Sequence, residues 1–458
     1  MRNNQYLSKI ENKLGASNGT LWFVISALFA KVIGAVYKVP LFAILGENGV
    51  GLYQMVFPVY ALLLTVSVGG IPLAMTKLIS SGYDGKAVLL KCLKLFIPLG
   101  AILGIILFFF GKNIAILQGN VQAFTLYKAI APSVVFVCVI ACLRGYFQGG
   151  ANFKPTAFSQ LIEQLVKAVS GVIALLLTKG DYKIKALYAT FAVTFSELIA
   201  LIVMLIIYKK NKAKECLIAN DNQKQITTKI LLSFVLPITA SSILLPLASF
   251  ADSFIAINAL KNTFGQNATA VYGIYSGGVD CIIAFPITLL HCLSVGFLPK
   301  ITFETGNKSI AYIFFLSVIG ALAIILFAPL AINILFANSQ FKQLAVSLLR
   351  FASLTVVLHS TLHAVSNLLL SAEKQRFTML SLFCGVVFKF ILNLILIKMP
   401  SINIFGMIIS EVGCYFVALT LNLLYIKYMK KKSRAVKSYE NNVSGFRRRA
   451  RLLFRKGA

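Results

Sequence analysis

Gln160, Glu163, Gln164 and Lys167 recur at i, i+3, i+4 and i+7, the spacing that sets side chains in one row on a helix, and Ser170 and Gly171 continue that row. Arg144 precedes them across the segment GGANFKP, and Pro155 suits the first turn of the helix that follows. Glu163 stands four residues before Lys167, the favourable order for an ion pair along a helix. A carboxylate, two carboxamides and two cations in one short passage can hold an anionic or polar group through charge-assisted hydrogen bonds. Facing lipid, a central lysine alone costs about 2.5–3.5 kcal/mol on insertion scales, so the row has to face protein or water. Two readings follow: a polar seam that fixes helix packing, and a water-filled cavity that admits a charged cargo.

Further charges lie in apolar surroundings. Lys31 and Lys38 are seven residues apart with Gly34 between them, so they share a helix face. Lys31 stands about 16 Å from the inner end of its span at 1.5 Å per residue, too deep to snorkel comfortably. Lys128, Arg350 and Lys389 are the other cations, and Glu197, Asp252, Asp280 and Glu411 the other acids. The first half of the chain therefore carries two more cations than acids within its spans, the second half one more acid than cations. Intramembrane charge marks substrate or ion paths, and cations in a low-dielectric cavity favour an anion such as a diphosphate. Lys31, Lys38, Arg144, Gln160, Glu163, Gln164, Lys167 and Arg350 are thus candidates to hold an anionic headgroup, and Asp252, Asp280 and Glu411 to serve a coupling ion. His359 and His363 have a spacing that can grip a metal, but no third ligand is evident. They read as packing or cavity groups, with proton coupling left open. No metal site or cofactor is expected, and no phosphate-binding glycine loop points to ATP.

The elements that must position these residues are membrane spans. The chain of 458 residues is 58% hydrophobic and 13% charged, against about 25% charged in soluble domains. Twelve apolar runs, each long enough for a hydrocarbon core of about 30 Å, predict an all-α polytopic membrane protein. The net charge of +30 is not a nucleic-acid footprint: with alternating loops, 31 of the 44 Lys and Arg fall on one side, 7 on the other and 6 within spans. That positive-inside pattern predicts cytoplasmic N- and C-termini. The polar start leads into a full-length span with no cleavage site for a signal peptide. The eight cysteines lack a Cys-x-x-Cys pair and read as small packing residues.

Two halves are expected. SVGGIP from Ser67 returns as SVGFLP from Ser294, at the same end of the second and eighth spans. Six helices per half give two lobes related by a pseudo-two-fold along the membrane normal, with a cavity between them. The expected division is an N-terminal segment 1–19, an N-lobe 20–208, a cytoplasmic linker 209–229, a C-lobe 230–429 and a basic tail 430–458. Pro40, Pro58 and Pro72, with Pro246, Pro286 and Pro299 in matching spans, are candidate kinks for moving helices. In the tail, Phe446, Ala450, Leu453 and Phe454 share a side among arginines, a pattern suited to anionic lipid.

The sequences RGYFQG from Arg144, PTAFSQLIEQLVK from Pro155, GAVYKVPLFAILGENGVGLYQMVFPVY from Gly34 and GGIPLAMTKLIS from Gly69 together resemble the stage V sporulation protein B group, related to MurJ-type flippases of the multidrug/oligosaccharidyl-lipid/polysaccharide exporter (MOP) superfamily. The resemblance implies alternating access by two lobes in a bacterial cytoplasmic membrane. Its cargo would be a polyprenyl-diphosphate oligosaccharide or peptidoglycan precursor, moved to the outer leaflet for envelope polysaccharide or spore cortex synthesis; separately, a monomer is expected, with the oligomeric state left open. Lys31 stands where MurJ-type proteins carry a functional arginine, and the group's next Arg-Asp pair falls on Tyr37 and Lys38. The eighth span lacks the family's basic residue, and the two further C-terminal helices of many relatives are missing. The cargo is therefore read as a lipid-linked glycan rather than lipid II in particular. The alternative on the same fold is a cation-coupled multidrug exporter. A membrane enzyme acting on the same lipids would need positioned acids and bases, and the outer loops offer only Glu47 and Asp181.

Overall fold

The computed structural model describes residues 18–215, 226–297, 306–372 and 374–429, and the described residues are helices joined by short turns. The first half comprises α1 (Asn18–Val68), α2 (Ile71–Ser80), α3 (Gly85–Leu117), α4 (Phe124–Gly149), α5 (Lys154–Leu177) and α6 (Tyr182–Glu215). The second comprises α7 (Thr228–Ser242), α8 (Leu244–Phe264), α9 (Ala268–Gly273), a π-helical turn (Ile274–Val279), α10 (Asp280–Phe297), α11 (Gly306–Leu335), α12 (Lys342–Ser371), α13 (Gln375–Leu396) and α14 (Phe405–Met429).

Among the described residues ten helices are long and apolar enough to cross a membrane, and two of them run to 52 and 51 residues. At 1.5 Å per residue each would reach about 75 Å if straight, more than twice a hydrocarbon core. Both instead double back at a glycine with positive φ, Gly46 at 65° and Gly265 at 54°. A side chain there would be strained in the left-handed region. Counting each as two crossings gives the expected twelve. Phe109, Leu326 and Leu177 are among many large apolar side chains left mostly bare on the outside, which suits lipid rather than water.

Within the first half α3 packs on α4, α4 and α5 on α6, and α1 on α5; in the second, α11 and α10 pack on α12 and α8 on α13. The largest buried cluster joins the halves, running from Phe42 and Leu52 through Tyr127 to Ile274, Ile332 and Ile408. The helices cross most closely where α1, beyond Gly46, meets the α9 region. A Cβ on Gly51 would lie 2.1 Å from the Thr269 carbonyl oxygen, and one on Gly273 would lie 2.4 Å from the Gly51 nitrogen. Hydrogen bonds cluster at the same end: Gln54 Nε2 to Ser276 O at 2.9 Å, Asn120 Nδ2 to Thr269 Oγ1 at 2.9 Å, Asn258 Nδ2 to Leu117 O at 2.7 Å, and Ser339 to Glu47. The two halves are thus closed against each other at the Gly46 end. At the opposite end, α7 leaves its own half and packs on α2 and α3, with Leu231 and Val235 buried against Ile71 and Leu89, and Lys91 Nζ donates to Ile226 O at 2.6 Å.

Several details depart from the sequence reading. α6 runs on to Glu215, so the first residues of the stretch expected as a linker are helical. Pro40, Pro58 and Pro286 lie inside helices. Pro72 instead begins α2 after a break at Gly69 and Gly70, and Pro246 falls in the first turn of α8, so both start helices rather than kink them. Pro299 and the basic tail lie outside the described residues.

The Gly51 crossing yields a test. Gly51→Ala forces a methyl group onto the Thr269 carbonyl; overpacking of this kind costs about 1–3 kcal/mol. We expect a lower midpoint of thermal unfolding in detergent, with Gly82→Ala, whose added Cβ meets nothing within 4 Å, as the comparison that separates packing from backbone strain.

Candidate functional site

The row read from the sequence faces a cavity. Lys31 and Lys38 of α1, Arg144 of α4, and Gln160, Glu163, Gln164 and Lys167 of α5 line a space of about 420 Å³, closed on its far side by Cys281, Ala284, Phe285 and Thr288 of α10. The cavity therefore lies between the halves, in the portion of the bundle away from the Gly46 end. Its floor is possible because Gly34 lets α5 approach α1: a Cβ there would come within 3.0 Å of Gln164 Oε1.

Local pairing differs from the spacing argument. Glu163 Oε2 takes its ion pair from Arg144 Nη2 at 2.8 Å, while Arg144 Nε donates to Ser159 Oγ at 3.0 Å and Gln164 Nε2 to Glu163 Oε1 at 3.0 Å. Among the described residues Lys167 forms no ion pair within 4.0 Å. Arginine wins because it reaches across from α4 with a planar fork and contacts Ser159 as well. Lys31, Lys38 and Lys167 are left as ammonium groups on the cavity wall, and Gln160 Oε1 is buried without a hydrogen-bond partner among the described residues.

Next to this polar space, an apolar groove of about 550 Å³ runs between α1 and α5, lined by Val32, Ile33, Val36, Tyr37, Pro40, Ala168, Val169, Val172 and Ile173. Val32 belongs to both walls, and the successive residues Lys167 and Ala168 face one each. Tyr37 lies at the base, its hydroxyl so near Gly171 that a Cβ there would sit 2.1 Å away.

Asp252, Asp280 and Glu411 converge on a second pocket of about 270 Å³, whose wall on the first-half side is Gln54, Phe57 and Pro58. Lys389, counted in the sequence only as a buried cation, enters this pocket and pairs with Asp252 Oδ2 at 2.7 Å. Asn393 Nδ2 donates to Asp252 Oδ1 at 2.5 Å, and Ser410 donates to Asn393. Tyr275 and Tyr415 hydroxyls each donate to Glu411 at 3.0 Å. Asp280 Oδ1 is buried with no hydrogen-bond partner among the described residues. The two pockets abut, since Asp280 lines one and Cys281 the other, and Lys38 faces both residues.

Two cations lie elsewhere. Arg350 is exposed on α12, eight residues from its first residue Lys342, and lines neither pocket; so near a helix end its long side chain can reach an interface. Lys128 is exposed and lies over the rings of Phe108 and Phe124 at 5.5 and 5.6 Å. His291, which the spacing argument passed over, contacts His363 with ring centroids 4.0 Å apart. No group of three His, Cys, Asp or Glu among the described residues has metal-binding geometry.

The fold is that of MOP-superfamily transporters. A structure of the lipid II flippase MurJ in an inward closed conformation superposes with a TM-score of 0.71 at 14% identity, covering 89% of this chain and 87% of that one. An inward-facing MATE-family multidrug resistance transporter of the MOP superfamily superposes with a TM-score of 0.67 at 15% identity, covering 88% and 96%. The chain belongs to the family described as polysaccharide biosynthesis protein, whose model matches residues 16–302. Its relatives in Bacillus subtilis (strain 168) include the lipid II flippase MurJ, 25% identical over 89% of this chain and 82% of that protein, and stage V sporulation protein B, 28% identical over 64% and 59%.

The pairing geometry predicts unequal costs. Breaking a largely buried ion pair by removing one partner costs about 3–5 kcal/mol. Glu163→Ala should therefore destabilise the protein strongly in detergent unfolding, whereas Lys167→Ala, which breaks no such pair, should leave stability nearly unchanged. Equal losses in the two variants would restore the Glu163–Lys167 pairing.

Proposed function

We propose that this protein is an alternating-access flippase that carries a lipid-linked, polyprenyl-diphosphate glycan or peptidoglycan precursor from the inner to the outer leaflet. The observation that carries the reading is the shared wall between a cationic cavity and a wholly apolar groove. An amphiphile with an anionic head has that chemistry: the diphosphate meets Lys31, Lys38 and Lys167 while the chain stays in the groove and the surrounding lipid. The relative named lipid II flippase MurJ supports a cargo of this kind. The positive-inside count orients the linker end to the cytoplasm, with the protein in the cytoplasmic membrane. On this orientation the Gly46 end, shut between the halves, faces outward.

The second pocket serves coupling on this reading. Three carboxyl groups, Asp252, Asp280 and Glu411, face one lysine, Lys389, in this pocket, a composition suited to a small cation as the coupling ion. The protein acts as a transporter, with no covalent step.

Proteoliposomes containing a fluorescent polyprenyl-diphosphate sugar test the function. The parent chain should move the lipid outward, and Lys31→Ala and Lys167→Ala should each slow movement about tenfold or more while remaining folded, since a charge-assisted contact is worth about 1.5–3 kcal/mol. No movement of any lipid-linked glycan, together with export of a soluble cationic dye, would replace the flippase with a drug exporter.

A further inference from the structure

Glu163 is the one acid on the wall of the cationic cavity among the described residues, where the other charged side chains are Lys31, Lys38, Arg144 and Lys167. Glu197 of α6 is buried near Glu163, Arg144 and Lys167 but does not line the cavity. Glu163 is therefore the carboxylate that an incoming anion meets. It holds Arg144 at a single point, Oε2 to Nη2 at 2.8 Å, and its other oxygen accepts from Gln164 Nε2 at 3.0 Å. Arg144 Nε is turned to Ser159 Oγ at 3.0 Å, and Nη1 makes no hydrogen bond among the described residues. The guanidinium thus has a one-point carboxylate partner, although its planar fork can take two oxygens side by side, as a phosphate offers them.

We propose that Glu163 is a built-in competitor for the anionic cargo, holding the Arg144 guanidinium until a phosphate of the headgroup replaces it, and so setting how tightly the cavity binds. The inference rests on the flippase reading and deepens it by naming the residue that tunes cargo affinity. Arg144 and Glu163 are both largely buried, so neither charge can be left without a partner cheaply. An exchange avoids that: Arg144 passes from carboxylate to phosphate, and Glu163 lies one helical turn before Lys167, which forms no ion pair within 4.0 Å among the described residues. Binding by replacement is weaker than binding by addition, because each new contact is offset by one that is lost. Transport needs that balance, since a site must hold its cargo well enough to load and loosely enough to release. Lys31, Lys38, Arg144 and Lys167 with no opposing acid would hold a diphosphate tightly and let it go slowly on the outer side. A carboxylate ready to return to Arg144 speeds that departure. The sign of the effect is distinctive: a direct ligand or a packing group loses affinity when altered, whereas a competitor gains it.

The test measures equilibrium binding of polyprenyl diphosphate without a sugar to the full chain in detergent, and flipping of the fluorescent polyprenyl-diphosphate sugar in proteoliposomes at saturating lipid. Glu163→Gln should bind about tenfold more tightly than the parent, the worth of one charge-assisted contact, and flip more slowly at saturation. Glu163→Asp keeps the charge but draws it back by one methylene, so it should tighten binding about two- to threefold and serves if the glutamine variant does not fold. In an Arg144→Gln background the gain from Glu163→Gln should shrink to about twofold or less, because the competition acts through the guanidinium. Binding that is unchanged or weaker in both Glu163 variants, or a gain undiminished without Arg144, overturns the inference and leaves the flippase intact. A parent that binds no polyprenyl diphosphate overturns the flippase reading as well.

Discussion

A charge in hydrocarbon has no water to answer it, and the arrangement of this bundle follows from that constraint. The charged row of α5, the lysines of α1, and the acids of α8, α10 and α14 all require a polar surface inside a molecule whose outside is left to Phe109, Leu177 and Leu326. Where a partner is in reach the charges pair, as Arg144 does with Glu163 and Lys389 with Asp252, at 2.8 and 2.7 Å. Lys31, Lys38 and Lys167 instead line a cavity. Pairing and cavity are two solutions to one problem, and in the proposed function an anionic headgroup completes the site at the ammonium groups left on the cavity wall.

The two pockets have opposite polarity and meet on one helix. α10 presents Asp280 to the acidic pocket and Cys281 to the cationic one, and the π-helical turn Ile274–Val279 immediately precedes them. A π turn widens the helix and leaves part of its backbone hydrogen bonding irregular, so it is a place where register can change. It also abuts the glycine crossing, since a Cβ on Gly277 would lie 2.2 Å from Val50 Cγ1. The acids, the closed end and the wall of the cavity thus meet along one short segment.

How much of this was legible in the sequence depends on whether the signal is local. Helices, their number and the α5 row follow from hydropathy and spacing, which need no tertiary information. The partner of Glu163 did not follow, because i+4 spacing names a neighbour on the same helix while Arg144 arrives from another, 19 residues earlier. Lys389 and His291 were missed for the same reason: one becomes part of an acidic pocket, and the other part of a ring stack, only when helices from distant positions pack. Gly46 stands in the sequence as one glycine among several between two spans, and only its positive φ of 65° in the fold shows where α1 doubles back. Arg350 shows the reverse error, as its charge sits in an apolar span but near a helix end and on an exposed face.

Alternating access requires that the closed end be able to open, and the contacts there are of a suitable size. Between the halves it is held by a few side-chain hydrogen bonds: Gln54 to Ser276, Asn120 to Thr269, Gln118 to Ser253, Asn258 to Leu117, and Ser339 to Glu47. At about 0.5–1.5 kcal/mol net each, these amount to several kcal/mol. The glycine crossing adds close van der Waals packing, but within a membrane helices gain no hydrophobic energy from one another, because lipid tails are as apolar as their side chains. Inverting a two-state equilibrium from 1:99 to 99:1 takes about 5.5 kcal/mol of differential affinity. The hydrogen bonds that close the Gly46 end are thus of the same order as the differential affinity that the proposed ligands would have to supply to open it.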